Sequence, residues 1–283
     1  MSPDNAPIGI FDSGVGGLSV LREIRVQIPF ESVLYFADQG HVPYGQRKME
    51  QVQAFSEEIT RFLLYLGAKL IVVACNAASA AALRYLRQTF PGTSFVGMEP
   101  ALKPAAESTH TGVVGILATP ATFQGALYAS VVERFGVGVT ILQDTCPGLV
   151  GQIEKGELNT QATREILEKA LYPMLERGID TIVMGCTHYP FVIPVIKQIV
   201  GPEVRVIDPA PAVARQTVRL LESGGLRSTG STPGKLRFFT SGEAAGFGSQ
   251  LPRLLGESGE VQQIDWLRDK IRYIDASKLP SVP

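Results

Sequence analysis

Two cysteines sit where apolar runs stop. Cys75 follows the run 70–74 and is followed by Asn76 and Ala77, while Cys186 follows the run 181–185 and is followed by Thr187, His188, Tyr189 and Pro190. Runs of that kind read as buried strands, each cysteine then falling at the turn into the next helix, where free backbone N–H groups stabilise an anion. A thiol so placed is expected to give up its proton readily and serve as a base, and the same turn can receive a carboxylate. One such cysteine reads equally well as a small buried hydrophobe. Two at matched positions point to a pair of proton-carrying groups. Cys146, in Asp-Thr-Cys-Pro-Gly at 144–148, reads as a structural residue in a turn before a short helix. Metal ligation is not expected, because Cys-x-x-Cys spacing is missing and only His41, His110 and His188 could join the thiols. A redox pair is the remaining reading of the two thiols, and it too lacks the usual Cys-x-x-Cys spacing.

Other polar groups gather at further strand ends. Asp12-Ser13-Gly14-Val15-Gly16-Gly17 looks like a phosphate-cradling loop, yet it matches neither the dinucleotide fingerprint nor the P-loop, which needs a lysine. In an amino-acid site Asp12 could accept from an ammonium or orient a thiol, and Ser13 could donate to a carboxylate. Otherwise the run is a glycine-rich turn capped by Asp12. The loop 38–45 brings Asp38, His41, Tyr44 and Gly45 together, with Tyr44 and the Gly45 N–H as donors to a carboxylate, or else it is an exposed turn. Glu154 and Lys155, at a helix end, pass as a solvated face on their own residue types.

The elements that must position these groups alternate. Strands are expected at 8–11, 33–37, 70–74, 94–96, 112–117, 137–141, 181–184 and 204–207, with long amphipathic helices at 49–66 and 159–175, which is the pattern of parallel sheets with crossover helices. The halves echo each other. Strands ending at Asp12-Ser13 and Cys75-Asn76 in the first match strands ending at Thr119-Pro120-Ala121-Thr122 and Cys186-Thr187-His188 in the second. Ligands bind outside the carboxyl ends of such strands, so two facing lobes would set all four ends around one cleft. Met98-Glu99-Pro100 is the expected first crossing and Asp208-Pro209-Ala210-Pro211 the return, giving one lobe of 1–99 plus 208–283 and a second of 100–207. A third small domain at 230–283 is the alternative.

Composition limits the partners. With 26 basic against 27 acidic residues and a net charge of -1, the chain lacks a footprint for nucleic acid or an anionic membrane. At 45% hydrophobic and 19% charged it can bury a sizeable core. The longest apolar stretch, 70–83, is broken by Asn76 and Ser79 short of the roughly 18 residues a membrane span requires. The first residues carry neither a basic nor an apolar leader segment, so a cytoplasmic protein with unpaired thiols is expected.

Taken together, Ile-Gly-Ile-Phe-Asp-Ser-Gly-Val-Gly-Gly-Leu-Ser at 8–19, Tyr-Phe-Ala-Asp at 35–38, Pro-Tyr-Gly at 43–45, Ala-Cys-Asn at 74–76 and Gly-Cys-Thr-His-Tyr-Pro at 185–190 resemble the glutamate racemases. The likeness runs in order over about the first 225 residues, and Phe-Phe-Thr-Ser-Gly at 238–242 resembles the family's closing strand. The resemblance implies two α/β lobes around the site, no cofactor, a small-molecule substrate, and a homodimer. Cys75 would deprotonate D-glutamate and Cys186 L-glutamate, assisted by Asp12 and His188, with Asp38 and Glu154 linked to the same assistance. Ser13, Pro43, Tyr44, Gly45, Asn76, Ala77, Thr119, Thr122 and Thr187 would hold or surround the substrate, together with Asp12 and His188. Ala77 departs from the family's usual threonine, which removes a hydroxyl donor. The residues after both cysteines favour glutamate over aspartate; an aspartate racemase or a non-catalytic amino-acid binding protein are the alternatives. D-glutamate for peptidoglycan synthesis would be the product used by the cell.

Overall fold

The computed structural model describes residues 5–272. The ends of the expected first lobe, 1–4 and 273–283, and with 1–4 part of the leader reading, lie outside the described residues. The chain begins with β1 (Ile8–Asp12), α1 (Leu18–Gln27), β2 (Val33–Ala37), α2 (Met49–Tyr65), β3 (Leu70–Val73), α3 (Asn76–Thr89) and β4 (Phe95–Gly97). It continues with α4 (Leu102–Ser108), β5 (Val113–Ala118), α5 (Pro120–Gln124), α6 (Ala126–Phe135), β6 (Thr140–Asp144), α7 (Leu149–Glu154), α8 (Gln161–Glu176), β7 (Thr181–Gly185), α9 (Ile193–Val200) and β8 (Arg205–Ile207). Last come α10 (Ala210–Ser223), β9 (Leu236–Thr240), α11 (Ala244–Leu254), β10 (Val261–Gln263) and a small hairpin of β11 (Trp266–Leu267) and β12 (Lys270–Ile271).

Two wholly parallel sheets result, ordered β10-β9-β2-β1-β3-β4 and β6-β5-β7-β8. The echo between the halves is therefore topological: β2-β1-β3-β4 and β6-β5-β7-β8 are the same arrangement used twice. In each, the winding reverses between the two central strands, and a crevice opens beyond their carboxyl ends. Those ends are Asp12 and Ala74 in one sheet, Ala118 and Gly185 in the other. The topology thus puts Ser13 and Cys75 at one switch point and Thr119 and Cys186 at the other.

Central strands β1, β2, β3 and β7 are buried at every position, which is why they read as continuous apolar runs rather than alternating ones. Strand β9 pairs in register with β2, and Phe239 meets Phe62 of α2 edge-on with centroids 5.1 Å apart. Burying one such ring contributes about 1.5–3 kcal/mol. Helix α10 packs on α1, where the Gln27 amide donates to the Pro211 carbonyl at 3.3 Å.

One strand lies three residues later than expected. The segment Gly-Val-Gly at 136–138 is a turn, with Gly138 at φ +78° and Val137 85% exposed, and pairing with β5 begins at Thr140. β6 is an edge strand, so its polar end at Gln143 and Asp144 stays in the ladder although it breaks the apolar pattern. Helix α8 starts at Gln161, where Thr160 caps it by accepting from the Thr163 N–H at 3.2 Å. Among the described residues no helix is long and apolar enough to cross a membrane.

Candidate active site

Cys75 caps α3, its sulfur accepting from the Ala78 N–H at 3.5 Å and lying 3.9 Å from the Ser13 hydroxyl oxygen. The helix N-terminus was expected to make it acidic. The opposite holds: burial, then the charge of Asp12, push the thiol well above its usual range, and the Ala78 bond opposes this only in part. The magnitudes decide it, since a helix terminus is worth about 0.3–1 kcal/mol while full burial shifts a group by up to 3–5 units.

Asp12 ends β1 fully buried. Its Oδ2 accepts from the Gly17 N–H at 2.9 Å and the Gly14 N–H at 3.3 Å, and its Oδ1 accepts from the Thr187 hydroxyl at 3.4 Å. Burial raises its pKa, against the pull of His188 and of hydrogen bonds from Cys75 and Gly17.

On the other lobe Cys186 follows β7, with its sulfur 3.8 Å from His188 Nδ1, while His188 Nε2 lies 2.6 Å from Glu154 Oε1. Burial disfavours a charged imidazole, yet the hydrogen bonds to Cys186 and Glu154 outweigh it and hold the His188 pKa well above the ordinary value. Burial likewise works against a charged Glu154, but His188, then Gln39 and the Val15 N–H, bring its carboxyl below the usual range. Glu154 is therefore an anion paired with a cationic His188, not a solvated helix end.

The lobes meet at this pair. Glu154 Oε1 accepts from the Val15 N–H at 2.8 Å and Oε2 from the Gln39 amide at 2.9 Å, both donors belonging to the first sheet's loops. Glycine is needed here: a Cβ on Gly14 would lie 1.9 Å from Glu154 Oε1, and one on Gly16 would lie 2.4 Å from His188 Nδ1. The glycine-rich run thus serves close approach of the lobes.

The loop 38–45 is not an exposed turn. Asp38 is fully buried and accepts from Tyr44 OH at 2.5 Å and Ser241 Oγ at 2.6 Å, with His41 Nδ1 at 2.9 Å. Its carboxylate touches neither cysteine in any recorded bond. The Tyr44 hydroxyl, read as a donor to substrate, is committed to Asp38, so Tyr44 faces the site as a buried ring.

Both sulfurs line one narrow cavity, walled also by Ser13, Pro43, Tyr44, Gly45, Asn76, Ala77, Thr119, Val150, Thr187 and His188. Asn76 is buried and neither end of its amide has a hydrogen-bond partner among the described residues. A buried amide left that way costs about 1–3 kcal/mol, which a polar ligand would recover. Thr122 stands behind the wall, 3.3 Å from the Thr119 hydroxyl. Asp12 stands behind Ser13. A wider space adjoins at Pro43, Gly45, Thr119 and Val150 and reaches Cys146, which burial and Asp144 keep protonated. Among the described residues no group of three or more His, Cys, Asp or Glu is arranged to hold a metal ion. Gln39, Val150 and Ser241 also border the site or its supports, and the sequence marks only Gln39, by its adjacency to Asp38.

Residues 8–217 match the family described as Asp/Glu/Hydantoin racemase. The chain is 47% identical over 265 residues to a glutamate racemase of Pseudomonas paraeruginosa, covering 94% of this chain and 100% of that one. It superposes on the crystal structure of a glutamate racemase isoform from Bacillus anthracis with a TM-score of 0.84 at 34% identity, over 93% of this chain and 98% of that chain. The glutamate racemase of Francisella tularensis in complex with D-glutamate gives 0.80 at 27% identity, over 93% and 98%.

Proposed function

The chain belongs to the Asp/Glu/Hydantoin racemase family, and we propose that it is a glutamate racemase that exchanges the α-proton of glutamate between two thiols. The observation that carries this reading is the single cavity lined by Cys75 from one sheet and Cys186 from the other. A lone base would tend to return the proton to the face it left; a sulfur in each wall makes inversion possible.

The two walls differ in the charge beside each sulfur. Cys75 is held as a thiol by burial and Asp12, whereas beside Cys186 stands a cationic His188 that offsets negative charge on the sulfur. The Cys186 thiolate removes the α-proton of L-glutamate, and the Cys75 thiol delivers its own proton to the opposite face. Cys186 is then the thiol and Cys75 the thiolate, the form that accepts D-glutamate. General acid–base groups of this kind contribute about 10²–10⁴-fold. Stabilising the carbanion falls to donors that line the cavity: Ser13, the unpaired Asn76 amide and backbone N–H groups at the start of α3.

In this reading Asp12 orients Cys75, Glu154 orients His188, and Asp38 acts indirectly by fixing the Tyr44 ring and the turn that carries Pro43 and Gly45. Thr119 closes the mouth from the second lobe, supported by Thr122. Proton transfer runs on the protein's own groups, without a cofactor. The lobes divide at 99/100 and 207/208, with β9 and β10 extending the first sheet. We place the protein in the cytoplasm, as a homodimer, supplying D-glutamate for peptidoglycan; three unpaired cysteines suit a reducing compartment.

Circular dichroism of L-glutamate, D-glutamate and L-aspartate incubated with the protein tests the assignment. Both glutamate signals should decay to zero and the aspartate signal should persist. A stable glutamate signal would refute turnover and leave a binding protein.

A further inference from the structure

We infer that Gln39, oriented by Thr240, is a positioning residue for the Cys186 half of the reaction, an inference that rests on the racemase reading above. Glu154 receives three donors, and they are distributed unevenly. The Val15 N–H and His188 Nε2 both reach Oε1, at 2.8 and 2.6 Å, while Oε2 is reached by the Gln39 amide alone among the recorded bonds, at 2.9 Å. Without Gln39 one oxygen of a largely buried carboxylate has no donor. The group can then turn about its last bond and trade away its hold on His188, and with it the placement of the imidazole against the Cys186 sulfur.

Gln39 is itself held. Its Oε1 accepts from the Thr240 hydroxyl at 2.9 Å, and Thr240, fully buried at the end of β9, accepts from the Gly242 N–H at 3.0 Å. The reversed amide would set a carbonyl oxygen against the Glu154 carboxylate, so the NH₂ end faces Glu154. The chain Thr240–Gln39–Glu154–His188–Cys186 thus runs from β9 of the first sheet to the thiol of the second lobe. The other face is held differently, and Gln39 bonds to none of its groups: Asp12 Oδ1 accepts from the Thr187 hydroxyl of the second lobe at 3.4 Å. Asp12, beside Cys75, is gripped by the N–H groups of Gly14 and Gly17 in its own loop. Loss of Gln39 should therefore injure one face of the reaction and spare the other.

Racemisation itself cannot separate the faces, because the ratio kcat/KM is tied in the two directions by an equilibrium constant near one. Elimination can. With a glutamate analogue bearing a leaving group on the β-carbon, the thiolate takes the α-proton and the leaving group departs with its bonding electrons, so each enantiomer reports a single sulfur. Gln39→Leu in the full chain should lower kcat for the L analogue roughly tenfold, the effect of one lost hydrogen bond to a charged group, and change the D analogue by less than about twofold. Thr240→Val, which keeps the shape and deletes the hydroxyl, should act in the same direction, and Thr240→Ser should restore the L rate. Thermal melting by circular dichroism checks folding; if Gln39→Leu is unfolded, Thr240→Val carries the comparison. Equal losses on both enantiomers, an effect on KM alone, or no effect would overturn the inference. A wild-type protein inert toward both glutamate enantiomers would instead overturn the racemase reading.

Discussion

Replacing Glu154 by glutamine keeps the size of the side chain and removes its charge, and the bonding pattern predicts a severe effect. Oε1 accepts from Val15 and His188, and Oε2 accepts from Gln39. A glutamine has one acceptor end, so its NH₂ must face either the Gln39 NH₂ or the pair of donors on the other side. At least one donor–donor contact follows, at about 1–3 kcal/mol for an unsatisfied buried donor. His188 also loses its counter-charge; breaking a buried ion pair costs about 3–5 kcal/mol, and screening is slight with side chains only 3% and 13% exposed. About 3–4 kcal/mol expressed in the reacting state is roughly 10²–10³-fold in rate. Initial rates of L-glutamate racemisation across pH should show that loss, with the upper limit of the cationic His188 moved to lower pH, because burial is then less opposed. The wild-type pair also sets a stability window. The raised His188 stabilises fully below its unfolded value of 6.5 and is lost as pH rises through its folded value; the lowered Glu154 stabilises above 4.5 and is lost as pH falls through its own. The glutamine variant should lose both flanks. Activity within about threefold of wild type, with an unchanged pH profile, would refute the role of the pair.

Cys75→Ser and Cys186→Ser should each abolish racemisation while folding persists, and with the β-leaving-group analogue Cys75→Ser should still process the L form and Cys186→Ser the D form; the reverse pattern would swap the faces, and loss of both enantiomers in both variants would exclude independent bases. Ala77→Thr restores a hydroxyl beside the unpaired Asn76 amide and should lower the KM for glutamate, by at most about 10- to 100-fold; an unchanged or raised KM would mean the cavity has closed around Ala77. Asp180, whose carboxyl is lowered to about 2 against burial by bonds from Thr109, Thr111, His110 and Thr181, stabilises the protein above 3.8 and loses that contribution as pH falls toward 2. Because Asp180 is only half-buried, Asp180→Asn should cost only about 1 kcal/mol in urea unfolding at pH 7 and much less once pH has fallen through about 2; an equal cost at both would exclude the charge.

Much of the candidate site is legible because its residues sit at strand ends, where a change from apolar to polar is visible along the chain. Cys75 and Cys186 announce themselves that way, as do β1, β2, β3 and β7, whose burial on both faces leaves an unbroken apolar signal. The doubled strand order was foreshadowed by matched motifs at Asp12, Cys75, Thr119 and Cys186. Where burial is one-sided the pattern blurred, and β6 was placed too early because an exposed Val137 between two glycines carries strand-like residue chemistry without a partner strand.

Protonation and partnership were not legible. A helix N-terminus beside Cys75 suggested an acidic thiol, but how deeply the sulfur is buried and how near Asp12 lies depend on the packing of elements far apart in sequence. Tyr44 looked like a free donor until Asp38 was found beneath it, and Glu154 looked like a solvated helix end until Val15, Gln39 and His188 closed around it. Residue type and spacing state what a group can do along its own strand or helix. Which proton it holds is set by desolvation and by neighbours brought within about 3 Å across two lobes, and those are properties of the assembled chain.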